Sequence, residues 1–325
     1  MLFSRTPLRI SLGGGGSDLP SYYERHGGFF VSAAIDKYIY IGINKTFNRK
    51  YFVRYQKQEL VDSASHIAHP IVREAMLTHD PGPVEVVSLA DIPAGTGLGS
   101  SGAFTVGLLR ALYAYARKPI SSGAIAEEAC DIEINRLREP VGKQDQYIAA
   151  YGGITCFEID KRGRVAATPL PLSADTIHDL EDHLLLFFTG YSRSASAILS
   201  DQAARSSGND KAMLANLQSI VEIGRESRLV LERGDMRAFA ELMHTHWVRK
   251  RDRTAGMSND RINRWYDKAR SNGALGGKLV GAGGGGFLMF YAADPQGVRA
   301  AMAEEGIDEV RFKFDFDGST VIVRQ

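Results

Sequence analysis

Glycine is concentrated in three short stretches of this chain, and they constrain its fold more than any other feature. Of the 34 glycines, sixteen fall within residues 13–16, 95–102 and 273–286. Glycine loses more backbone entropy on folding than any other residue, so a folded chain keeps such runs where its backbone approaches a ligand or another segment closely. We therefore expect three loops that handle phosphate or make close backbone contacts.

The composition is that of a globular protein without a strongly charged surface. The 325 residues are 44% hydrophobic and 24% charged, and 39 basic residues nearly balance 38 acidic ones. This balance disfavours nucleic acid as a partner. No apolar run is long enough to span a membrane, and Arg5 and Arg9 interrupt the N-terminal run as no signal peptide would. The two cysteines, Cys130 and Cys156, lack metal-type spacing, and we expect a cytoplasmic protein.

Strand and helix patterns follow one another without regular alternation, which favours an α+β fold over a doubly wound sheet. The polar segment 161–182, which contains two prolines, predicts a boundary between domains 1–172 and 173–325. The predicted strands are 29–36, 38–47, 51–56, 84–93, 154–159, 183–190, a hairpin over 278–292, 309–316 and 319–325. The predicted helices are 66–77, 104–116, 120–137, 143–150 and 295–305, with three or four more before residue 272.

The central glycine stretch, "DIPAGTGLGSSGAF", predicts an anion-binding loop. It lies between a predicted strand and an apolar helix, with Ser100 and Ser101 at the junction. Backbone N–H groups and the positive end of a helix dipole converge at such a point. A glycine-rich turn with serine caps is the alternative. Residues 97–102 match the dinucleotide fingerprint in letters, but the acidic residue on a second strand is missing, and no Walker A loop is present.

With Pro93 before Gly97, this stretch resembles the phosphate loop of the GHMP kinases, the superfamily of galactokinase, homoserine kinase, mevalonate kinase and phosphomevalonate kinase. The resemblance implies two α+β domains, the first like a ribosomal protein and the second ferredoxin-like. It also implies ATP and Mg²⁺ as cofactors. The residues implied to bind ATP are Gly95, Gly97, Leu98, Gly99, Ser100, Ser101 and Gly102.

The first glycine stretch, in "TPLRISLGGGGSD", is similar to the family motif that contacts the acceptor. Glycines replace a Glu-His pair that galactokinases have, which disfavours galactose. As alternatives, Arg9 is a charge on a strand surface and Asp18 caps the following helix. The third stretch resembles a hairpin that packs against the phosphate loop. Together the two stretches imply substrate binding by Arg9, Gly14, Gly15, Gly16, Ser17, Asp18, Gly283 and Gly284.

Two carboxylates between these loops are candidates for the chemistry. Glu133 and Asp145 are separated by Pro140 and Gly142, which break the helix and can turn both side chains towards one pocket. The resemblance implies that Glu133 and Ser101 are Mg²⁺ ligands. It also implies that Asp145 is the base, with a nearby arginine, Arg9, lowering the pKa of the acceptor hydroxyl. Alternatively, Glu133 is a solvated helix charge and Asp145 merely suits the helix dipole.

Three stretches, which begin "PLRISLGGGGSDLP", "GKQDQYIAAYGG" and "HWVRKRDRTAGMSND", extend the resemblance over most of the chain. They resemble the GHMP kinases that phosphorylate the anomeric hydroxyl of D-glycero-D-manno-heptose 7-phosphate, giving the 1,7-bisphosphate for synthesis of nucleotide-activated heptose. A sugar phosphate needs a cationic pocket, and "VRKRDR" offers Lys250 and Arg251. A solvated helix face is the alternative for this charge run. Two alternative functions stay open: a kinase for an unphosphorylated sugar, such as fucose or a uronic acid, and a non-catalytic sensor of sugar and ATP. The sequence also leaves a homodimer open.

Overall fold

The computed structural model describes residues 1–190, 196–254 and 256–324. Its strands are β1 (Leu2–Gly13), β2 (Gly28–Lys45), β3 (Tyr51–Arg54), β4 (Gln58–Val61), β5 (Val84–Ala90), β6 (Ile154–Ile159), β7 (Val165–Pro169), β8 (Leu184–Phe188), β9 (Ala274–Val280), β10 (Phe287–Ala292) and β11 (Thr320–Arg324). Its helices are α1 (Pro20–His26), α2 (Pro70–His79), α3 (Ser100–Tyr115), α4 (Ser122–Cys130), α5 (Gln144–Tyr151), α6 (Ala174–His183), α7 (Ser196–Ser207), α8 (Lys211–Glu232), α9 (Met236–Arg251), α10 (Asp260–Ser271) and α11 (Pro295–Glu304). A 3₁₀ turn lies at Ala64–His66, and a π-helical turn at Asp131–Arg136 follows α4 directly.

The larger sheet is organised around β2, whose 18 residues pair on both edges. β1 runs antiparallel along one edge, while the other is shared by β6 and β5. The prediction of two strands, 29–36 and 38–47, is wrong. The polar pair Asp36 and Lys37 interrupts the apolar pattern, but the strand continues because the backbone of Asp36 is hydrogen-bonded to that of Lys313.

The end of the chain returns to this first sheet. β11 pairs antiparallel with β1, so that Leu2 lies opposite Arg324. The predicted strand 309–316 is reduced to two isolated bridges, one of which joins Phe314 to Ile35 of β2. Assigning all of 173–325 to the second domain therefore misplaces its last strand, which covers an edge of β1 that would otherwise be open. The boundary between residues 172 and 173 stays a prediction.

The segment 161–182 is more regular than its composition predicts. β7 pairs with β6 at the edge of the larger sheet. Helix α6 begins directly after Ser173, whose hydroxyl accepts a hydrogen bond from the backbone N–H of Thr176. Both elements are too short to show sustained periodicity in the sequence.

The smaller sheet has the antiparallel order β8-β10-β9. β9 and β10 form the predicted glycine-interrupted hairpin, and their inner faces pack against buried rings of α9 and α10, among them Trp247, Trp265 and Tyr266. Glu309 adds an isolated bridge to β8 at Phe187. Two sheets with helices packed on them confirm the α+β class. None of the helices in the described ranges is both long and apolar enough to cross a membrane.

Candidate active site

The central and C-terminal glycine loops pack backbone against backbone. Gly97 has a φ of 88°, and a Cβ on it would lie 2.8 Å from the carbonyl oxygen of Val280. A Cβ on Gly281 would lie 2.6 Å from the Cα of Gly97, and one on Gly286 would overlap the carbonyl of Thr96. Side chains would therefore force the two loops apart, and the predicted packing of the hairpin against the phosphate loop is confirmed.

Where these loops meet, a cavity of about 770 Å³ opens between the two halves of the molecule. It contains a polar group of side chains from the N-terminal loop, α7, β9, and α9 with the turn after it. An apolar group comes from β2, α3, β5 and the loops that follow β3 and β5 and precede α2. Arg9 and Asp145 line the cavity together with the phosphate loop. The polar group includes Asp18, Gln202, His246, Lys250, Arg253 and Lys278. The apolar group includes Ile39, Tyr55, His69, Leu89, Ile92 and Phe104.

Arg9 of β1 joins the phosphate loop to Asp145. Its Nε donates a hydrogen bond of 2.7 Å to Asp145 Oδ1, and its Nη1 donates one of 2.6 Å to the carbonyl oxygen of Gly97. Its backbone N–H donates to the carbonyl of Leu98. Arg9 is buried, whereas the Asp145 side chain is 30% exposed to the cavity. Arg9 is therefore a buried group of the site, and the alternative of a strand-surface charge is wrong.

The phosphate loop is packed tightly onto Asp145, which lies in the first turn of α5. A Cβ on Gly102 would lie 2.7 Å from Asp145 Cβ, and one on Gly99 would lie 3.2 Å from Asp145 Cγ. Of the residues predicted to bind ATP, Leu98 and Gly102 are buried beneath the loop. The others line the cavity: Gly95, Gly97, Gly99, Ser100 and Ser101.

Glu133 lies in the π-helical turn and is completely buried behind Ser101. Its Oε2 accepts a hydrogen bond from Ser101 Oγ, and its Oε1 accepts one of 3.0 Å from Gln146 Nε2. Burial raises the pKa of Glu133 to about 7, against the opposing effect of these hydrogen bonds. Glu133 is therefore not a solvated helix charge, and that alternative is wrong.

The oxygen atoms at this position fit a magnesium ion. Mg²⁺ takes carboxylate and hydroxyl oxygens, and Ser101 Oγ and Glu133 already lie together. The neighbouring Ser100 Oγ is buried without a hydrogen-bond partner in the described part of the chain. Such an unsatisfied hydroxyl at a helix N-terminus suits a ligand that brings its own polar atoms.

Asp18 is held at the polar side of the cavity. Its Oδ1 accepts a 2.9 Å hydrogen bond from the backbone N–H of Gly16, and its Oδ2 one of 3.1 Å from that of Gln144. Because Gln144 is the first residue of α5, Asp18 caps that helix; α1 has Leu19 at its N-cap. The expectation that Asp18 caps the helix after it is therefore wrong. Burial, with the nearby Asp145, raises the pKa of Asp18.

Gly14 and Ser17 of the first glycine loop do not line the cavity, although Gly15 and Gly16 do. The single proton of Ser17 Oγ is shared between the carbonyl oxygens of Gly14 and Phe29, each 2.9 Å away. The backbone of Gly14, with a φ of 77°, lies directly against Phe29, leaving no room for a side chain. These two residues shape the loop and fasten it to β2, which corrects the expectation that they contact substrate.

Gly283 and Gly284 likewise face away from the cavity. Gly284 donates its backbone N–H to the carbonyl oxygen of Met257, and a Cβ on Gly283 would overlap the Met257 side chain. Gly281 and Ala282 line the cavity in their place. The hairpin loop thus reaches the site two residues earlier than expected, because its tip turns back to pack against Met257.

Of the two cations predicted in "VRKRDR", Lys250 lines the cavity and Arg251 does not. Successive residues of a helix point about 100° apart, so one side chain can enter the site while its neighbour leaves it. His246, one turn before Lys250, shares its face of α9 and lines the cavity. Arg253, which follows the end of α9 at Arg251, also lines the cavity. The spacing of four residues is a signal in the sequence that identifies His246, whereas no helical spacing identifies Arg253.

Lys278 of β9 is another buried cation that was not predicted. Its Nζ donates a 3.1 Å hydrogen bond to the carbonyl oxygen of Leu12 and lies 3.4 Å from His246 Nδ1. Burial and the charge of Arg9 lower the pKa of Lys278 to about 7. Burial, with neighbouring cations, also lowers the pKa of Lys250 and of His246 well below their ordinary values.

The apolar side of the cavity contains stacked rings from three different elements. The rings of His69 and Phe104 are stacked with centroids 4.9 Å apart, and Tyr55 meets His69 edge-on at 4.8 Å. The backbone N–H of Val72 donates to His69 Nδ1, which caps α2 and fixes the ring. A flat apolar recess of this kind fits a nucleobase.

Comparison with known proteins agrees with this geometry. The family model "GHMP kinases N terminal domain" matches residues 51–153, and "GHMP kinases C terminal" matches residues 228–308. The D-glycero-alpha-D-manno-heptose 7-phosphate kinase of Campylobacter jejuni is 30% identical over 307 residues, which cover 90% of this chain and 89% of that protein.

Two further relatives are similar over most of this chain. The L-fucokinase/L-fucose-1-P guanylyltransferase of Bacteroides fragilis is 25% identical over 336 residues, covering 91% of this chain and 35% of that protein. The crystal structure of a D-glycero-D-manno-heptose 1-phosphate kinase from Bacteroides thetaiotaomicron superposes with a TM-score of 0.80 at 25% identity, with 100% of both chains covered.

Proposed function

This chain belongs to the GHMP kinase family and is an ATP-dependent sugar kinase, and we propose that it transfers the γ-phosphoryl group of ATP to the anomeric hydroxyl of D-glycero-D-manno-heptose 7-phosphate. The product would be the 1,7-bisphosphate, a precursor of nucleotide-activated heptose. The observation that carries this proposal is the position of the Arg9–Asp145 pair, in contact with the phosphate loop and in one cavity with a cluster of buried cations.

The ATP site in this proposal runs from the stacked rings to the glycine loop. The recess at His69 and Phe104 would take the adenine, and the loop at Gly97 and Gly99 would take the phosphates through backbone N–H groups at the start of α3. The positive end of that helix favours the negative charge of the phosphates.

Magnesium would be held by Ser101 and Glu133, whose oxygens already lie in contact. The ion would neutralise charge on the phosphates during transfer. Glu133 is fixed for this role by Gln146, which donates to the carboxylate oxygen that Ser101 does not use.

Asp145 is the proposed general base. It would accept the proton of the acceptor hydroxyl as the phosphoryl group is transferred. Arg9 binds its Oδ1, and within the described ranges no hydrogen bond engages its Oδ2, which would face the acceptor. Arg9 also holds Gly97, so the guanidinium fixes the distance between the base and the phosphate loop. Catalysis in such a site is chiefly positioning and charge stabilisation.

The acceptor would be bound on the side of the cavity formed by the first glycine loop. Asp18 is available there to accept hydrogen bonds from sugar hydroxyls, while Gly15 and Gly16 leave room for a sugar longer than a hexose. Lys250, on the same side, adds positive charge that suits a phosphorylated acceptor. We place the reaction in the cytoplasm, consistent with two cysteines that are both unpaired.

The test is ADP release measured with a panel of acceptors at saturating MgATP. The panel contains D-glycero-D-manno-heptose 7-phosphate, the same heptose without phosphate, other sugar 7- and 6-phosphates, L-fucose and a uronic acid. We expect the highest kcat/KM with the heptose 7-phosphate. Turnover of unphosphorylated sugars alone would contradict the proposed acceptor.

A kinase for an unphosphorylated sugar is the second candidate. Its support is the 25% identity to the Bacteroides fragilis L-fucokinase/L-fucose-1-P guanylyltransferase. The cluster of buried cations at the acceptor side favours the phosphorylated acceptor, since a neutral sugar would leave that charge without a counterion. The same panel distinguishes the two.

A further inference from the structure

Arg253 carries a hydrogen-bond donor that nothing in the described part of the chain satisfies. The residue is 5% exposed, and its Nη2 is buried without a partner. Leaving a charged donor unpaired in a buried site costs free energy, so native structures seldom keep one without a reason. Because Arg253 lines the cavity, a ligand that enters it can reach this side chain.

The rest of the Arg253 guanidinium is held in place by two amide side chains. Its Nη1 donates a 3.0 Å hydrogen bond to Gln202 Oε1 of α7, and its Nε donates one of 3.0 Å to Asn216 Oδ1 of α8. Gln202 in turn donates from Nε2 to the carbonyl oxygen of Gly16. Neutral amides orient the guanidinium without neutralising its charge, which leaves that charge for a ligand.

Lys250 and Lys278, at the same side of the cavity, also have N–H donors that are not all used within the described part of the chain. An ammonium group has three N–H donors. Lys250 uses two of them on the carbonyl oxygens of Leu279 and Gly281. Lys278 donates to Leu12 and faces His246. One N–H of each lysine therefore stays available.

These cations lack a counterion of their own. In the described ranges, none of Arg253, Lys250 and Lys278 forms a salt bridge with a carboxylate. Burial lowers the pKa of Arg253 to about 10, and the charges of Arg253 and Lys278 contribute to the lowered pKa of Lys250. The negative charge of Asp18 acts on Arg253 and raises its pKa against the effect of burial, but both oxygens of Asp18 accept hydrogen bonds from backbone N–H groups. The cluster is thus built for an anion from outside the chain.

We propose that Arg253 binds the distal phosphate of the acceptor and, with Lys250 and Lys278, makes the enzyme specific for a phosphorylated sugar. This inference rests on the proposed function, because it assigns that acceptor its phosphate subsite. Arg253 thus takes the phosphate-binding role beside Lys250 that was expected of Arg251. A guanidinium presents paired N–H groups to a phosphate, which a lysine cannot.

The test compares Arg253→Gln and Arg253→Lys with Arg249→Gln. Arg249 is exposed on α9, four residues before Arg253, and lies outside the cavity, so its variant is the matched control. With heptose 7-phosphate we expect Arg253→Gln to lower kcat/KM on the order of 100-fold, chiefly through KM, as for loss of one member of a buried charge pair. Arg253→Lys should recover part of that loss, and the KM for ATP should stay unchanged.

A binding measurement makes the inference independent of turnover. Calorimetry with inorganic phosphate, at saturating ADP so that the glycine loop is filled, should detect binding to the wild type and to Arg249→Gln but not to Arg253→Gln. If the wild type binds phosphate through Arg253 yet turns over only free sugars, the proposed acceptor is wrong and the anion subsite stands. If sugar phosphate is the substrate and Arg253→Gln behaves like the control, the subsite is wrong and the acceptor stands.

Gln202→Glu tests the same point if Arg253→Gln does not fold. The new carboxylate would lie where Gln202 Oε1 accepts from Arg253 and would neutralise it. It gives up the hydrogen bond from Nε2 to Gly16, so Gln202→Leu, which loses that bond without adding charge, is the control. We expect a higher KM for heptose 7-phosphate with an unchanged KM for ATP. A wild-type KM for the sugar phosphate would overturn the subsite.

Discussion

Arg9 Nε lies 2.7 Å from Asp145 Oδ1, while another nitrogen of the same guanidinium lies 2.6 Å from the carbonyl oxygen of Gly97. Residues 136 positions apart in the sequence are thus joined at the point where the phosphate loop meets the proposed acceptor site. Arg9 thus holds the proposed base at a fixed distance from the phosphate loop.

Replacing Asp145 by asparagine removes the proposed base and keeps its size. We expect Asp145→Asn to lower kcat about 1,000-fold, because general-base catalysis contributes about that much, while ATP binding measured by calorimetry stays intact. Asp175→Asn is the matched control, since Asp175 also lies in a first helical turn but is exposed and outside the cavity. Near-wild-type turnover by Asp145→Asn would exclude Asp145 as the base.

Gly142→Ala should disturb the acceptor site alone. A Cβ on Gly142 would overlap Asp18 Oδ2, so the carboxylate must move away from its two backbone donors. A displacement of about 1 Å costs about 100-fold in kcat/KM, so we expect a loss of that order for the acceptor. The KM for ATP should be unaffected. Gly123→Ala, whose new methyl group would meet only the hydroxyl end of Tyr151, is the control. Equal kinetics for the two variants would mean that Asp18 does not hold the sugar.

Lys278→Met should stabilise the ligand-free protein near neutral pH while impairing its activity. Lys278 faces Arg9 of β1 and His246 and Lys250 of α9, and its pKa falls from 10.5 to about 7 on folding. The unfolded chain therefore binds the extra proton between these values. Destabilisation by Lys278 is complete below pH 7, declines as the pH rises, and is gone above about pH 10.5.

At pH 7 we expect Lys278→Met to raise the free energy of unfolding by about 3 kcal/mol, after allowing for the lost hydrogen bond to Leu12. The gain should disappear near pH 10. Denaturant unfolding at both pH values checks this, with the exposed Lys118→Met as control. A gain that is equal at both values would show that burial of the charge is not its cause.

Glu133→Gln tests the proposed magnesium site. Glutamine can still accept from Ser101 but lacks the charge that the ion requires, so the Mg²⁺ concentration for half-maximal rate should rise at least about tenfold. The exposed Glu139→Gln serves as control. An unchanged Mg²⁺ dependence in Glu133→Gln would place the ion elsewhere.

The sequence was most informative where a function needs a local pattern. The loop from Gly95 to Ser101 could be predicted because phosphate binding requires glycines directly before a helix. The position of Asp145 near the pocket could be predicted because Pro140 and Gly142 break the helix before it and can turn its carboxylate towards that of Glu133. The family resemblance implies that Arg9 acts beside Asp145, but its contacts with Asp145 and Gly97 are known only from the structure.

The cluster of buried cations could be predicted only in part, because it depends on tertiary packing. Lys250 belongs to an obvious charge run, but which of its neighbours enters the cavity depends on where α9 ends and turns. Lys278 lies in β9 of the glycine-rich hairpin, and the sequence pattern there indicates a role for the glycines but not for the lysine. Gln202, on α7, has no motif around it, and its role follows only from its contact with Arg253.

Errors in the predicted fold have similar causes. The polar residues at Asp36 predict a break in β2. The strand continues because Asp36 forms hydrogen bonds with Lys313, which is far away in the sequence. β11 was assigned to the second domain because pairing with β1 is not visible in a local pattern. Strand periodicity identifies a strand, but it does not identify the strand's partner.

The most direct test of the central claim is the product of one reaction. Wild-type enzyme, MgATP and D-glycero-D-manno-heptose 7-phosphate are incubated, and the sugar product is examined by ³¹P NMR with coupling to ¹H. We predict a second phosphate monoester coupled to the anomeric proton, with the original 7-phosphate retained. A phosphate on any other carbon, or ATP left unconsumed under conditions in which a free sugar is phosphorylated, would contradict the assignment of this enzyme as an anomeric sugar-phosphate kinase.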